Sequence, residues 1–220
     1  MACKTRSGRL FYLHYYKTAL LAEGYMMSAF DNCLFYCITA TDTNYIIVYV
    51  DDTFIFSNSP VHIDTVITNV GKHYEVTLDR DATSSLGLNF THNSDGTAVT
   101  ITQPKLLTKL FSLYPPKKDT THKPSHPYPP LPKESDPAPQ PADHYAYLRL
   151  LGILLYLTKS RPDIMAAESF AGTKSSNPTN RDMSDLYYVV EYLRATQDFG
   201  HILHKSSMSA LRLYFEVDTS

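Results

Sequence analysis

The chain has few cysteines, no long apolar run and almost no excess charge of either sign, and each shortage removes a class of protein. Three cysteines, Cys3, Cys33 and Cys37, are too few and too unevenly spaced for a disulfide framework. Cys33 and Cys37 sit among apolar residues and are expected to be core thiols in a reducing compartment, since neither has metal-ligand partners at a suitable spacing. No stretch approaches the roughly 18 consecutive apolar residues of a membrane span. The N-terminus also lacks the apolar core of a secretory signal, so an intracellular protein without a membrane partner is expected. A formal net charge of −2 argues against an independent, tight nucleic-acid binder unless a local basic groove is hidden in the average. What remains is ample apolar material, 43% of 220 residues, which allows one large or two small domains and excludes wholesale disorder.

The most informative stretch is Tyr45-Ile46-Ile47-Val48-Tyr49-Val50-Asp51-Asp52-Thr53-Phe54-Ile55-Phe56. Two β-branched and aromatic runs flank two adjacent carboxylates, so each run is expected to be a buried strand with Asp51-Asp52 at a hairpin turn. Adjacent acids at a tight turn repel each other, and desolvation adds to that cost. A divalent cation relieves it: hard carboxylate oxygens suit Mg²⁺ or Mn²⁺. A solvated turn is the alternative, because aspartate is a common turn former.

Around this hairpin the pattern predicts an α+β chain. Residues 1–8 carry Lys4 and Arg6 and offer nothing to bury. From Arg9 to Glu23, Leu10, Leu13, Leu20 and Leu21 fall near one helix face, with Gly24 as the C-terminal cap. A strand follows from Asp31 to about Thr39. After the hairpin, Ser59-Pro60 opens a helix whose Ile63, Val66, Ile67 and Val70 share a face, and Gly71 ends it. Short strands are expected at Glu75–Leu78 and Leu86–Phe90, the latter paired with Val99–Ile101 across a turn at Asp95-Gly96. Gln103-Pro104 then starts a helix burying Leu106, Leu107 and Leu110. Its Lys105 and Lys109 form either a solvated face or a contact to nucleic-acid phosphates.

Residues 115–141 hold ten of the fourteen prolines and are expected to be an extended or disordered linker, or a Pro-rich docking site. Three helices follow: Tyr145–Thr158, a second capped by Asp163 and running to about Gly172, and Arg181–Gln197. Leu211–Asp218 closes the chain as a strand.

Tyr49-Val50-Asp51-Asp52 between apolar strands resembles the Tyr-x-Asp-Asp signature of reverse transcriptases, and the likeness extends along the chain. Ser7–Tyr12, Gly24-Tyr25 and Ser28–Phe35 resemble copia-type reverse transcriptases ahead of the hairpin. Leu86–Phe90, Asp95–Thr97 and Ile101–Leu110 resemble the stretch leaving the palm for the thumb. Tyr147–Ile164 and Val190–Gly200 resemble the helical segment that follows.

The resemblance implies a partial right-hand polymerase palm, an antiparallel sheet backed by helices, followed by a thumb and a helical connection. It assigns residues 1–114 to the palm and thumb start, 115–141 to the linker, 142–205 to the helical connection and 206–220 to the first strand of a truncated RNase H domain. It implies an RNA-directed DNA polymerase in which Asp51 and Asp52 bind Mg²⁺ or Mn²⁺ and carry two-metal nucleotidyl transfer to a primer 3′-hydroxyl. Asp51 is favoured for direct coordination, because strand alternation sends neighbours to opposite faces. Tyr49 would lie near the primer end, or else serve only as a strand aromatic. Asp218 corresponds to the first RNase H carboxylate, with no nuclease activity expected without the rest of that domain.

The implied partners are RNA or DNA template and primer, deoxynucleoside triphosphates, and the fingers and RNase H portions of a polyprotein, in cytoplasmic particles. The family's fingers and third carboxylate precede the first residue here, so the chain is expected to be inactive alone. The alternative is a non-catalytic nucleic-acid-binding or structural remnant of the same element.

Overall fold

Alternation along the hairpin decides the architecture of the first half of the molecule. In the computed structural model, residues 2–5, 17–49, 52–72, 76–79, 83–116, 124–131 and 138–205 are described. They form an α+β molecule of two compact units, residues 1–85 and 86–220.

In the first unit, β1 (Ala2–Thr5), β2 (Met26–Met27), β3 (Leu34–Ile38), β4 (Thr43–Tyr49), β5 (Asp52–Ser57) and β6 (Val76–Asp79) form one sheet in the order β2-β3-β4-β5-β1-β6. The pairings recorded between neighbours are antiparallel. Asn44, Ile46 and Val48 of β4 point to one face with Thr53 and Ile55 of β5, and all are buried. A helix over residues 17–22 (α1) and α2 (Pro60–Gly71) belong to this unit, and their Leu20 and Val66 join Phe35, Ile46, Val48 and Ile55 in its core.

Local chemistry explains the junctions. After α1, Gly24 takes a φ of +85°, its N–H donates to the Leu21 carbonyl and Tyr25 N–H reaches back to Leu20. This pair of bonds satisfies the last helical carbonyls and turns the chain into the sheet. Before β3, Asp31 Oδ1 accepts from Cys33 N–H at 2.8 Å. At α2, Pro60 takes the first position and Ser59 Oγ accepts from His62 N–H.

Two expectations change here. Residues 2–5, which offered nothing to bury, form an interior strand held by β5 on one side and β6 on the other. The hairpin strands are half-buried and not fully buried: Ile47 is 37% exposed beside an Ile46 that is fully covered. Residues 9–16 of the expected first helix lie outside the described residues.

The second unit pairs β8 (Leu88–His92) with β9 (Ala98–Thr102), and β9 with β10 (His201–His204), all antiparallel. Between them, β7 (Ser84–Ser85) having closed the first unit, Gly96 takes a φ of +67° in the β8–β9 turn and Asp95 Oδ1 accepts from Thr97 N–H. The strand β10 had no counterpart in the sequence pattern.

Gly200 leads into β10, and a Cβ there would sit 2.8 Å from the Ile101 carbonyl oxygen and from Thr102 Cγ2. Gly200→Ala should cost about 1–3 kcal/mol in urea unfolding by overpacking. Gly152→Ala, with nothing within 4 Å of the added methyl inside a helix, should stabilise by up to about 1 kcal/mol. Equal effects at the two positions would remove the close-approach explanation.

The helices α3 (Pro104–Leu113), α4 (His144–Leu157), α5 (Met165–Gly172) and α6 (Asn180–Ala195) enclose the larger core. Leu107 and Leu110 of α3 meet Tyr147, Leu150 and Leu154 of α4 and Leu186, Val189 and Val190 of α6 there. Asp143 caps α4 by accepting from Ala146 N–H, and Thr179 and Asp182 form a reciprocal capping box on α6. Asp163, expected to cap the second helix, instead lies within a 3₁₀ turn (Pro162–Ile164), where its carboxylate binds Arg161 and Tyr192. Of the proline-rich stretch, residues 115–116, 124–131 and 138–141 are described; they hold no helix or named strand, only an isolated bridge from Pro141 to Thr179, and Pro124 and Pro127 are buried. A spacing of three suits one side of an extended proline run.

Candidate functional site

Tyr49 and Asp52 are the closing pair of the β4–β5 hairpin, with Val50 and Asp51 between them in the chain. Val50 and Asp51 lie outside the described residues. On the far side of β5, Lys4 of β1 occupies the register position facing Asp52. Directly paired residues on antiparallel strands share a face, so Tyr49 and Asp52 belong with Ile47 and Phe54, and with Tyr45 and Phe56, on the face turned away from α1 and α2.

That face is aromatic and partly open. Tyr49 is 53% exposed and Phe56 49%, and the Phe54 and Phe56 rings stack with centroids 6.4 Å apart. Tyr36 continues the row beside Tyr45, and Met26 beside Tyr36. The row was hidden in the sequence because both faces of β4 carry apolar residues. The one inward polar side chain of β4, Asn44, is buried and accepts a hydrogen bond from Ser57 Oγ. Had Asn44 been read as an inward position, the alternation would have shown which face stays open.

Alternation is observed on the second strand. Asp52 is half-buried, Thr53 is fully buried and Phe54 returns to the open side. Asp52 contributes oxygen donors of the kind Mg²⁺ prefers. Among the described residues no group of three or more histidine, cysteine or acidic side chains is placed to hold a metal ion.

Behind the open face, Tyr25 is buried, hydrogen-bonds His62 and has its phenol pushed well above its ordinary value by burial. Cys33 and Cys37 are free, half-buried thiols. Burial, then the neighbouring Asp31 carboxylate, pushes the Cys33 thiol up, which disfavours the reactive thiolate. Lys105 and Lys109 are exposed on α3 in the second unit. Asp218 lies outside the described residues. Among the described residues no helix is long and apolar enough to cross a membrane.

No protein-family model matches the chain, and no solved structure matches it. It is 27% identical over 202 residues, 90% of its length, to the "Retrovirus-related Pol polyprotein from transposon RE1" of Arabidopsis thaliana. It is 27% identical over 207 residues, 92% of its length, to the corresponding polyprotein from transposon RE2 of the same plant. The chain spans only 13% and 14% of these relatives. The likeness runs through both units and supports an origin in a retrotransposon polyprotein.

Proposed function

We propose that this chain is the palm, thumb and helical connection of a copia-type RNA-directed DNA polymerase, and that alone it holds primer–template without extending it. The observation that carries this is the pairing of Tyr49 with Asp52 across β4 and β5, at the end of an open aromatic face. Similarity to two Pol polyproteins over nine-tenths of the chain supports the same reading.

Asp51 and Asp52 would hold Mg²⁺ or Mn²⁺, which supplies activation of the primer 3′-hydroxyl and neutralises charge on the leaving pyrophosphate. Tyr49, exposed beside them, would stack on or abut the last primer nucleotide. The rest of the open face, Tyr45, Phe54 and Phe56, offers flat apolar area for sugars and bases rather than charge for phosphates. The strand flanking β5 is Ala2-Cys3-Lys4-Thr5 and brings no carboxylate to the hairpin; it brings Lys4 to the position facing Asp52. The lack of a carboxylate on that strand favours binding without synthesis.

Primer extension on an RNA template with Mg²⁺ or Mn²⁺ is expected to give no product from the full chain. Filter binding at low salt is expected to retain primer–template, with affinity falling as salt rises. Extension that vanishes in Asp51→Asn/Asp52→Asn would overturn the claim of inactivity. Absence of binding at low salt would leave a structural remnant.

A further inference from the structure

The second unit contains a cavity of about 550 Å³ with no part in the reading above. Three short side chains of α5, Ala166, Ala167 and Ala171, leave the room, Leu186 and Val189 of α6 border it, and the proline strap Tyr128–Leu131 completes the wall. The strap is held out of the gap by anchors elsewhere. Pro124 and Pro127 are buried, the His126 ring packs 6.2 Å from Tyr128 and 6.3 Å from Tyr188, and Arg181 donates to the Pro130 carbonyl. The volume lies in the range of small-ligand sites.

The charged groups of the lining balance one another: Lys174 and Arg181 against Asp182 and Asp185. Arg181 Nε donates to Asp185 Oδ1 at 3.1 Å. Asp182 accepts from the Thr179 N–H and hydroxyl at 2.8 and 2.6 Å. The buried Tyr147 hydroxyl donates to the Ala171 carbonyl at 2.7 Å. Lys174 is exposed to water, and its ammonium lies 5.2 Å from the centroid of the Phe170 ring. An ion of either sign would give up hydration here without meeting a buried counter-charge in need of a partner, so the site favours a neutral molecule.

The remaining lining suits rings. The alanines form a shelf without projecting groups, Pro129 and Pro130 present ring faces, and Tyr128 and Phe170, 52% and 65% exposed, bring aromatic rings to the rim. Contacts between aromatic rings add stabilisation beyond the area they bury. A peptide strand would need backbone donors and acceptors to pair with. Pro129 and Pro130 have no N–H, and the Pro130 carbonyl already accepts from Arg181. We propose that this cavity binds an uncharged aromatic small molecule, its rings lying between the alanines of α5 and the strap.

The test titrates four probes of one shape into the full chain at neutral pH by calorimetry: naphthol, its saturated analogue decahydronaphthol, naphthoate and naphthylmethylammonium. Naphthol is expected to bind saturably and about tenfold more tightly than either ion. It should exceed decahydronaphthol by about threefold to tenfold, the increment of ring contacts. Ala166 is exposed, so Ala166→Phe fills the shelf without disturbing the core, and it should weaken naphthol binding about tenfold or more. Asp185→Asn takes the carboxylate from Arg181, and naphthoate should then bind about tenfold more tightly than to the parent chain, with naphthol unchanged.

The proposal fails if naphthol does not bind saturably, if either ion or decahydronaphthol binds as tightly, or if Ala166→Phe binds naphthol unchanged. Naphthoate binding unmoved by Asp185→Asn would remove the paired charges as the source of neutrality and overturn the selection argued from them. Should Ala166→Phe not fold, the order of the four probes on the parent chain decides.

Discussion

Arg161→Ala is expected to destabilise the protein by about 3 kcal/mol, and Arg161→Lys by most of that. Arg161 is 1% exposed yet carries a full charge. Its Nε and Nη2 meet the two oxygens of Asp163 at 2.9 and 2.7 Å, and Nη1 and Nη2 reach the carbonyl and hydroxyl of Thr196 at 3.0 and 2.7 Å. The guanidinium also lies over the Tyr192 and Phe199 rings, 5.4 and 5.6 Å from their centroids. It thus ties the turn after α4 to the C-terminal end of α6. Breaking a buried pair from one side costs about 3–5 kcal/mol. Asp163 is about one-third exposed, so water rescues part of the orphaned carboxylate and places the cost near the lower limit. Lysine cannot reproduce a planar fork serving a carboxylate and a helix end together. A loss under about 1 kcal/mol in urea unfolding would show that the clasp is not stabilising.

The same clasp sets an acid limit. Burial raises the Asp163 carboxyl, but hydrogen bonds from Arg161 and Tyr192 outweigh it and leave it below its ordinary 3.8. A carboxyl with a depressed folded value contributes stability that is complete above the unfolded value and is lost as pH falls through the folded one. Stability should therefore decline below about pH 4, and Arg161→Ala should flatten that decline. Thermal unfolding between pH 2 and 6 measures both slopes.

Elements written in local pattern were legible, and those written in distant pairing were not. Pro60, the apolar period through Val66 and the terminal Gly71 gave α2 to within a residue. The capping box of Thr179 and Asp182 starts α6 at Asn180, one residue ahead of the expected Arg181. By contrast, Ala2-Cys3-Lys4-Thr5 has no apolar alternation, and it becomes a strand only because β5 and β6 supply backbone partners on both sides. His201–His204 pairs with β9 for the same reason, across about a hundred residues of chain. Asp163 looked like a cap because aspartate commonly caps helices; a buried arginine two residues earlier claimed its carboxylate first. Of the site, the strand pairing of the hairpin followed from the motif, but Asp52, expected at its turn, is the first residue of β5 and pairs with Tyr49, whereas Asp51 and Asp218 lie outside the described residues. The aromatic face was missed because a strand apolar on both sides hides which side is covered.

Ile46→Ala and Ile47→Ala should separate those two sides by several kcal/mol although the residues are adjacent and identical. Ile46 is 0% exposed and packs in the core beneath the hairpin with Phe35 and Ile55. Deleting it removes buried surface and leaves a cavity, for an expected loss of about 2–5 kcal/mol. Ile47 lies on the open face at 37% exposure between Leu34 and Phe54, so truncation should cost only about 1 kcal/mol. Primer–template binding should show the reverse order when measured on folded protein. Ile47→Ala removes apolar area from the face proposed to meet nucleic acid, whereas Ile46→Ala removes none. Equal unfolding losses would mean that the open face is covered in solution. A binding loss confined to Ile46→Ala, with folding preserved, would place the nucleic acid away from the aromatic face and take Tyr49 out of contact with the primer.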